Sequence, residues 1–185
     1  MKKQRVFVAI NFPEKVKNQL FSLRERRPDL PAMFTKRDSL HLTLAFLGYL
    51  DDEQIIALTT VLKEAASRCE PFDLALDSIS YGPSNEKPRM VWARGPALAP
   101  LDALKQNMEK LLSESVGGLY TPDSRHFSPH VTLARLKNCH LQKLPEINER
   151  FKLSFPVTSF ELMESELKRS GAEYRVLESF PLGNF

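Results

Sequence analysis

One short pattern occurs twice in this chain, half a chain apart. His41-Leu42-Thr43-Leu44-Ala45-Phe46-Leu47 and His130-Val131-Thr132-Leu133-Ala134-Arg135-Leu136 agree at five of seven positions and lie 89 residues apart in a chain of 185. The chain has four histidines, and two of them open a His-x-Thr-Leu tetrad. The spacing predicts a single domain, residues 1–185, built from two related lobes.

Both copies are short, apolar and β-prone, so each reads as a strand. Successive side chains on a strand point to opposite faces. His41 and Thr43 therefore share one face, as do His130 and Thr132, with Leu42, Leu44, Val131 and Leu133 behind them. Residues two apart on a strand are separated by roughly 6.6 Å, close enough for imidazole and hydroxyl to touch one phosphate-sized anion. If the lobes pack about an approximate two-fold axis, two imidazoles and two hydroxyls meet at one point.

That set suits a phosphodiester. In-line displacement puts the attacking and leaving oxygens on opposite sides of phosphorus. A neutral histidine can take a proton from water while a protonated one gives a proton to the departing oxygen. Histidine performs both tasks near neutral pH. The threonine hydroxyls would donate to the non-bridging oxygens. This scheme needs no metal and no cofactor.

Composition narrows the alternatives. With 42% apolar residues the chain can bury a core, and a net charge of +3 suits a short anionic ligand better than a long duplex. No run of 18 apolar residues occurs, so no membrane span is expected. Val6 to Ile10 is too short for a secretory apolar region. Cys69 and Cys139 lack metal or redox spacing, which fits a reduced, cytoplasmic setting. The seven glycines form neither a P-loop nor a dinucleotide fingerprint.

Along the chain, Val6–Ile10 reads as a buried strand, and Pro13 opens a helix with Val16, Leu20 and Leu23 inward. Leu40–Leu47 follows as a strand. Asp51 with Gln54 forms a capping box for a helix that buries Ile55, Leu58, Leu62 and Ala65. Phe72–Ile79 and Met90–Ala93 are strands. Pro100–Val116 is a helix, ended by Gly117-Gly118, with Leu101, Leu104, Met108, Leu111 and Leu112 inward. Phe127–Leu136, Phe151–Phe155, Val157–Leu162 and Tyr174–Leu177 are further strands. The order favours an α+β fold.

His126 and His140 read as structural or surface histidines. A metal site from His126, His130, Cys139 and His140 is disfavoured by Pro129 and by the lack of nearby carboxylate pairs. Trp92 could stack on a base, but a lone strand tryptophan reads first as core.

The segments Arg5–Ile10, Leu40–Gly48 and Phe127–Arg135 resemble the 2H phosphoesterase superfamily, named for its paired His-x-Thr/Ser-x motifs. Within it they resemble the RNA 2',3'-cyclic phosphodiesterases, formerly called 2'-5' RNA ligases. Tyr174–Leu182 resembles that family's final strand. The resemblance implies a two-lobed, pseudo-two-fold α+β fold, in which antiparallel sheets line a central cleft and helices lie outside. It implies metal-independent opening of an RNA 2',3'-cyclic phosphate to a 2'-phosphomonoester. It assigns His41 as acid, His130 as base, Thr43 and Thr132 as substrate-binding, and Arg135 as a cation reaching the ligand. The partner is then an RNA end or oligonucleotide bearing the cyclic phosphate, met by a monomer without membrane association. Met33-Phe34 and Arg125-His126-Phe127 depart from the family pattern where the nucleobase is gripped. Joining ends through a 2'-5' bond, cutting 2'-5' linkages, or binding phosphorylated ends without turnover are the alternatives.

Overall fold

The computed structural model describes residues 3–115, 120–122, 127–137, 144–147, 149–168 and 171–183. Gly117-Gly118, expected to stop a helix, lie outside them. Among the described residues, nine strands and three α-helices run in the order β1 (Gln4–Asn11), α1 (Glu14–Ser22), β2 (Ala32–Phe34), β3 (His41–Leu50), α2 (Asp52–Ser67), β4 (Phe72–Gly82), β5 (Met90–Arg94), α3 (Ala99–Ser115), β6 (His130–Leu136), β7 (Glu149–Val157), β8 (Ser159–Lys168) and β9 (Gly171–Pro181).

All strand pairs are antiparallel, and the sheet order is β7-β4-β5-β6-β3-β1-β8-β9, with β2 alongside β6. The order reads outward from a seam between β3 and β6, giving one four-stranded lobe on each side. The lobes are continuous with one another in this sheet. They join at a single recorded pair, Leu42 with Val131, after which β2 takes the place of β3 beside β6.

One face of the sheet is covered by helices. Leu42, Val131, Leu74 and Leu76 are buried there with Leu58 and Leu62 of α2 and Leu101, Leu104 and Met108 of α3. The Asp51–Gln54 capping box is present at the start of α2. β1 is buried on both faces, because Phe7 and Ala9 lie under Met163 and Tyr174 on the other side. This explains its unbroken apolar run.

Three expectations needed correction. β6 starts at His130 and not at Phe127, since Pro129 has no N–H to give a ladder. The strand expected over Val157–Leu162 is divided: β7 ends at Val157 and β8 begins at Ser159. β8 and β9 extend far beyond their apolar stretches because their outer ends are held by charge. Arg175 bridges to Glu164 and Lys168 to Glu173 across the hairpin, which hydropathy does not register.

Candidate active site

His41 opens β3 and His130 opens β6, on the sheet face away from the helices. The antiparallel pairing at Leu42–Val131 sets His41 beside Thr132 and Thr43 beside His130 on that face. Both rings are held in the same way. His41 Nδ1 lies 2.8 Å from Ser39 O, and His130 Nδ1 lies 2.7 Å from Ser128 O. A carbonyl only accepts, so Nδ1 carries the proton in both rings and Nε2 is left for a ligand. The repeat therefore begins two residues earlier than the histidines, as Ser-x-His-x-Thr-Leu-Ala. The serines stand in the sequence at equal offsets, and this was the signal to read.

The Leu-Ala pair of each repeat is a bulge. Leu44 and Ala45 are both buried, as are Leu133 and Ala134, and the register slips beside each pair. The extra residue returns Phe46 and Arg135 to the cleft face, three positions after each threonine. Each bulge frees a carbonyl. Leu44 O accepts from Lys105 Nζ at 3.1 Å, and Leu133 O accepts from Thr35 N at 2.8 Å. Arg135 lies across from Met33 of β2 and Met90 of β5. Phe46 is its counterpart in the other lobe, and Phe46 and Met33 are left 69% and 60% exposed. At this one position the two lobes thus differ, an aromatic ring in one and a guanidinium in the other.

The two histidines have different neighbours. His41 packs against Phe7 at 5.0 Å and Tyr174 at 4.9 Å between ring centroids. His130 stacks on Trp92 at 3.8 Å and 25°, and the guanidinium of Arg94 sits 4.9 Å from that indole. Trp92 is 8% exposed, as expected for core, yet its ring supports a site histidine. Thr132 Oγ1 rests 3.9 Å from Met90 Sδ, a weak acceptor that a phosphate oxygen would outdo.

Both rings resist protonation. Burial pushes His41 down to about 4; the carbonyl of Ser39 pulls upward, and the charges of Lys17 and His130 add to the fall. His130 is also lowered, first by burial, against the upward pull of Ser128 O, with Arg94 adding to it. Lys17, on the buried face of α1, is 7% exposed and makes no side-chain hydrogen bond or ion pair among the described residues.

Five predicted site residues, His41, Thr43, His130, Thr132 and Arg135, thus share one face. The sequence reading missed Phe7, Arg94 and Tyr174, which come from other strands, and named Trp92 only as core or a base-stacking residue, not as a support for His130. His126, Cys139 and His140 lie outside the described residues, and no helix among the described residues is long and apolar enough to cross a membrane.

The chain is similar along most of its length to known proteins. An RNA 2',3'-cyclic phosphodiesterase of Thermus thermophilus is 34% identical over 96% of this chain and 90% of its own length. One from Aquifex aeolicus is 28% identical over 99% of this chain and all of its own. The crystal structure of E. coli LigT in apo form superposes with a TM-score of 0.82 at 28% identity, covering all of both chains. The complex of E. coli LigT with 3'-AMP gives 0.81 at 27%, covering 98% of this chain and 99% of the other. The model of the LigT-like phosphoesterases matches residues 10–92 and 98–174, spanning both motifs and most of the sheet that carries them. With its paired histidine strands in that frame, this chain belongs to the LigT-like phosphoesterase family.

Proposed function

We propose that this chain hydrolyses the 2',3'-cyclic phosphate at an RNA end to a 2'-phosphomonoester, with His41 and His130 as its catalytic pair. The observation that carries this is the matched clamp on the two rings, which leaves both Nε2 atoms for one ligand on one sheet face. The names of the relatives from Thermus thermophilus and Aquifex aeolicus support the substrate class.

The reaction balances without a cofactor. His130 Nε2 takes a proton from water as its oxygen bonds to phosphorus. The P–O3' bond breaks, and the 3'-oxygen receives the proton held on His41 Nε2. Thr43 and Thr132 donate to the non-bridging oxygens, and Arg135 balances charge or holds the nucleotide. Solvent then resets both rings.

His41→Ala or His130→Ala should lower kcat by about 10²–10⁴, and Thr43→Ala or Thr132→Ala should cost about 1.5–3 kcal/mol of transition-state stabilisation. The product of a cyclic-phosphate RNA should carry phosphate at the 2' position, and EDTA should leave the rate unchanged. Binding without turnover, phosphate at the 3' position, or activity lost in EDTA and restored by zinc would each overturn the scheme.

The two roles separate with a p-nitrophenyl phosphodiester, whose leaving group needs no proton. His41→Ala should lose less on it than His130→Ala. The opposite order would reverse the two roles.

A further inference from the structure

One row of side chains crosses the β6 lobe on the cleft face. His130 pairs with Arg94, Arg94 with Ser78, and Ser78 with Arg150, on β6, β5, β4 and β7 in turn. Directly paired residues of antiparallel strands project to the same face. The matching row in the other lobe starts with His41 opposite Asn11. Asn11 is neutral, its Oδ1 accepts from Phe12 N, and its own N–H donates to the buried carboxylate of Glu161. The two lobes thus continue from their histidines differently, a neutral amide beside His41 and a guanidinium beside His130.

The cationic row is short of acceptors. Arg94 makes no ion pair with any described carboxylate, and its hydrogen bond to Tyr81 O is long at 3.4 Å. Among the described residues three buried side-chain polar atoms have no partner: Ser80 Oγ, Trp92 Nε1 and Arg94 Nε. Ser80 pairs with Trp92 across β4 and β5, so all three lie on this face. Guanidinium and indole nitrogens can only donate, and a serine hydroxyl can. Orphaned donors grouped in a native structure call for an acceptor. The floor beneath is small, built of Ser78, Ser80 and Gly82, and the Trp92 ring lies over Gly82, where an added Cβ would overlap it. Arg150 is exposed and held only loosely, 3.7 Å from Asp77.

We infer that this row is a track for the RNA strand leading to the reacting end, with Arg94 holding the next phosphate and Arg150 a later one. The inference rests on the reading of the cleft as a cyclic phosphodiesterase site. A phosphate bound at the β3–β6 seam lies about one and a half strand spacings, roughly 7 Å, from β5, which is the scale of one nucleotide step. Arg150 is two further strands out, roughly 10 Å on. The strand therefore runs over β5, β4 and β7, and away from the lobe that carries Glu161.

The test compares kcat/KM for a 2',3'-cyclic mononucleotide, a dinucleotide and a hexanucleotide with the same cyclic end, each measured at its optimum pH. The full-length wild type should prefer the dinucleotide to the mononucleotide. Arg94→Gln should shrink that preference by roughly 10- to 100-fold, the worth of a charged hydrogen bond, and Arg94→Lys should restore part of it. Arg150→Gln should weaken only the hexanucleotide. Each lost phosphate contact should also flatten the salt dependence of single-strand binding by about 0.7 in log–log slope.

Equal loss on all substrates in Arg94→Gln would put Arg94 on the reacting phosphate and overturn the track. Unchanged preference would overturn it as well. Should the variants fail to fold, the wild type still decides: identical salt slopes for mononucleotide and hexanucleotide refute the proposal. No turnover of any cyclic substrate by the wild type would instead defeat the function on which the track rests.

Discussion

The two imidazoles proposed to move protons sit where protons are unwelcome. In the free enzyme both histidines are held below the usual 6.5, His41 at about 4, so both are neutral at pH 7. The dependence of kcat/KM on pH reports the free enzyme, and the proposed scheme requires one ring charged and the other neutral there. Its maximum is therefore expected below pH 6.5, with a decline as pH rises. A bound diester brings negative charge to both rings and favours their protonation, so the kcat profile should lie at higher pH. A kcat/KM that is flat from pH 6 to 9 would contradict this. Stability follows the same shift. The unfolded chain binds a proton near 6.5 that folded His41 refuses until about 4, so stability falls as pH drops through that window, by about 3 kcal/mol for the full shift. His41→Gln should flatten that fall in urea titrations taken at each pH. At this scale the sequence disclosed the groups and hid their surroundings. His41, Thr43, His130, Thr132 and Arg135 could be found because they repeat. Tyr174 reaches His41 from 133 positions away along the chain, and nothing local to either residue marks the meeting.

The strands carry two devices that tune the site from outside. The bulge of β3 depends on Lys105 of α3, whose ammonium satisfies Leu44 O and pairs with Glu109, itself bonded to Tyr120 Oη. Lys105→Met should cost about 1–3 kcal/mol of stability by leaving buried acceptors unmatched. It should also raise KM more than it lowers kcat, since Phe46 follows the bulge and His41 precedes it. In β4, Gly82 lets the Trp92 ring settle, and a Cβ there would sit 2.3 Å from the nearest ring atom. Gly82→Ala should move the indole off His130 and lower kcat, and the chain's one tryptophan makes the shift visible in its fluorescence. An unchanged emission spectrum with reduced kcat would refute the link. Elements with strong apolar periodicity, such as α2, α3, β1 and β3, could be foreseen. β2 and the outer halves of β8 and β9 could not, because β2 is three residues long and the β8–β9 extension is held by ion pairs.

On the scale of the whole chain, the two lobes share one continuous apolar core although their strands meet at one pair. We propose that they form a single domain that melts as a unit. Urea unfolding followed by tryptophan fluorescence, which senses the β6 lobe, should coincide with unfolding followed by circular dichroism. Leu42→Ala, at the junction itself, should cost about 2–5 kcal/mol without splitting the transition in two; separate midpoints would show independent lobes. The half-chain repeat pointed to two related lobes, whereas the seam that joins them depends on a contact too brief to leave a pattern. The replacement of Phe46 in one copy by Arg135 in the other has a last consequence. A bare tetrahedral ion, identical from every side, would find the duplicated scaffold nearly the same in either of two poses. A polymer with distinguishable 5' and 3' directions would find one of them wrong.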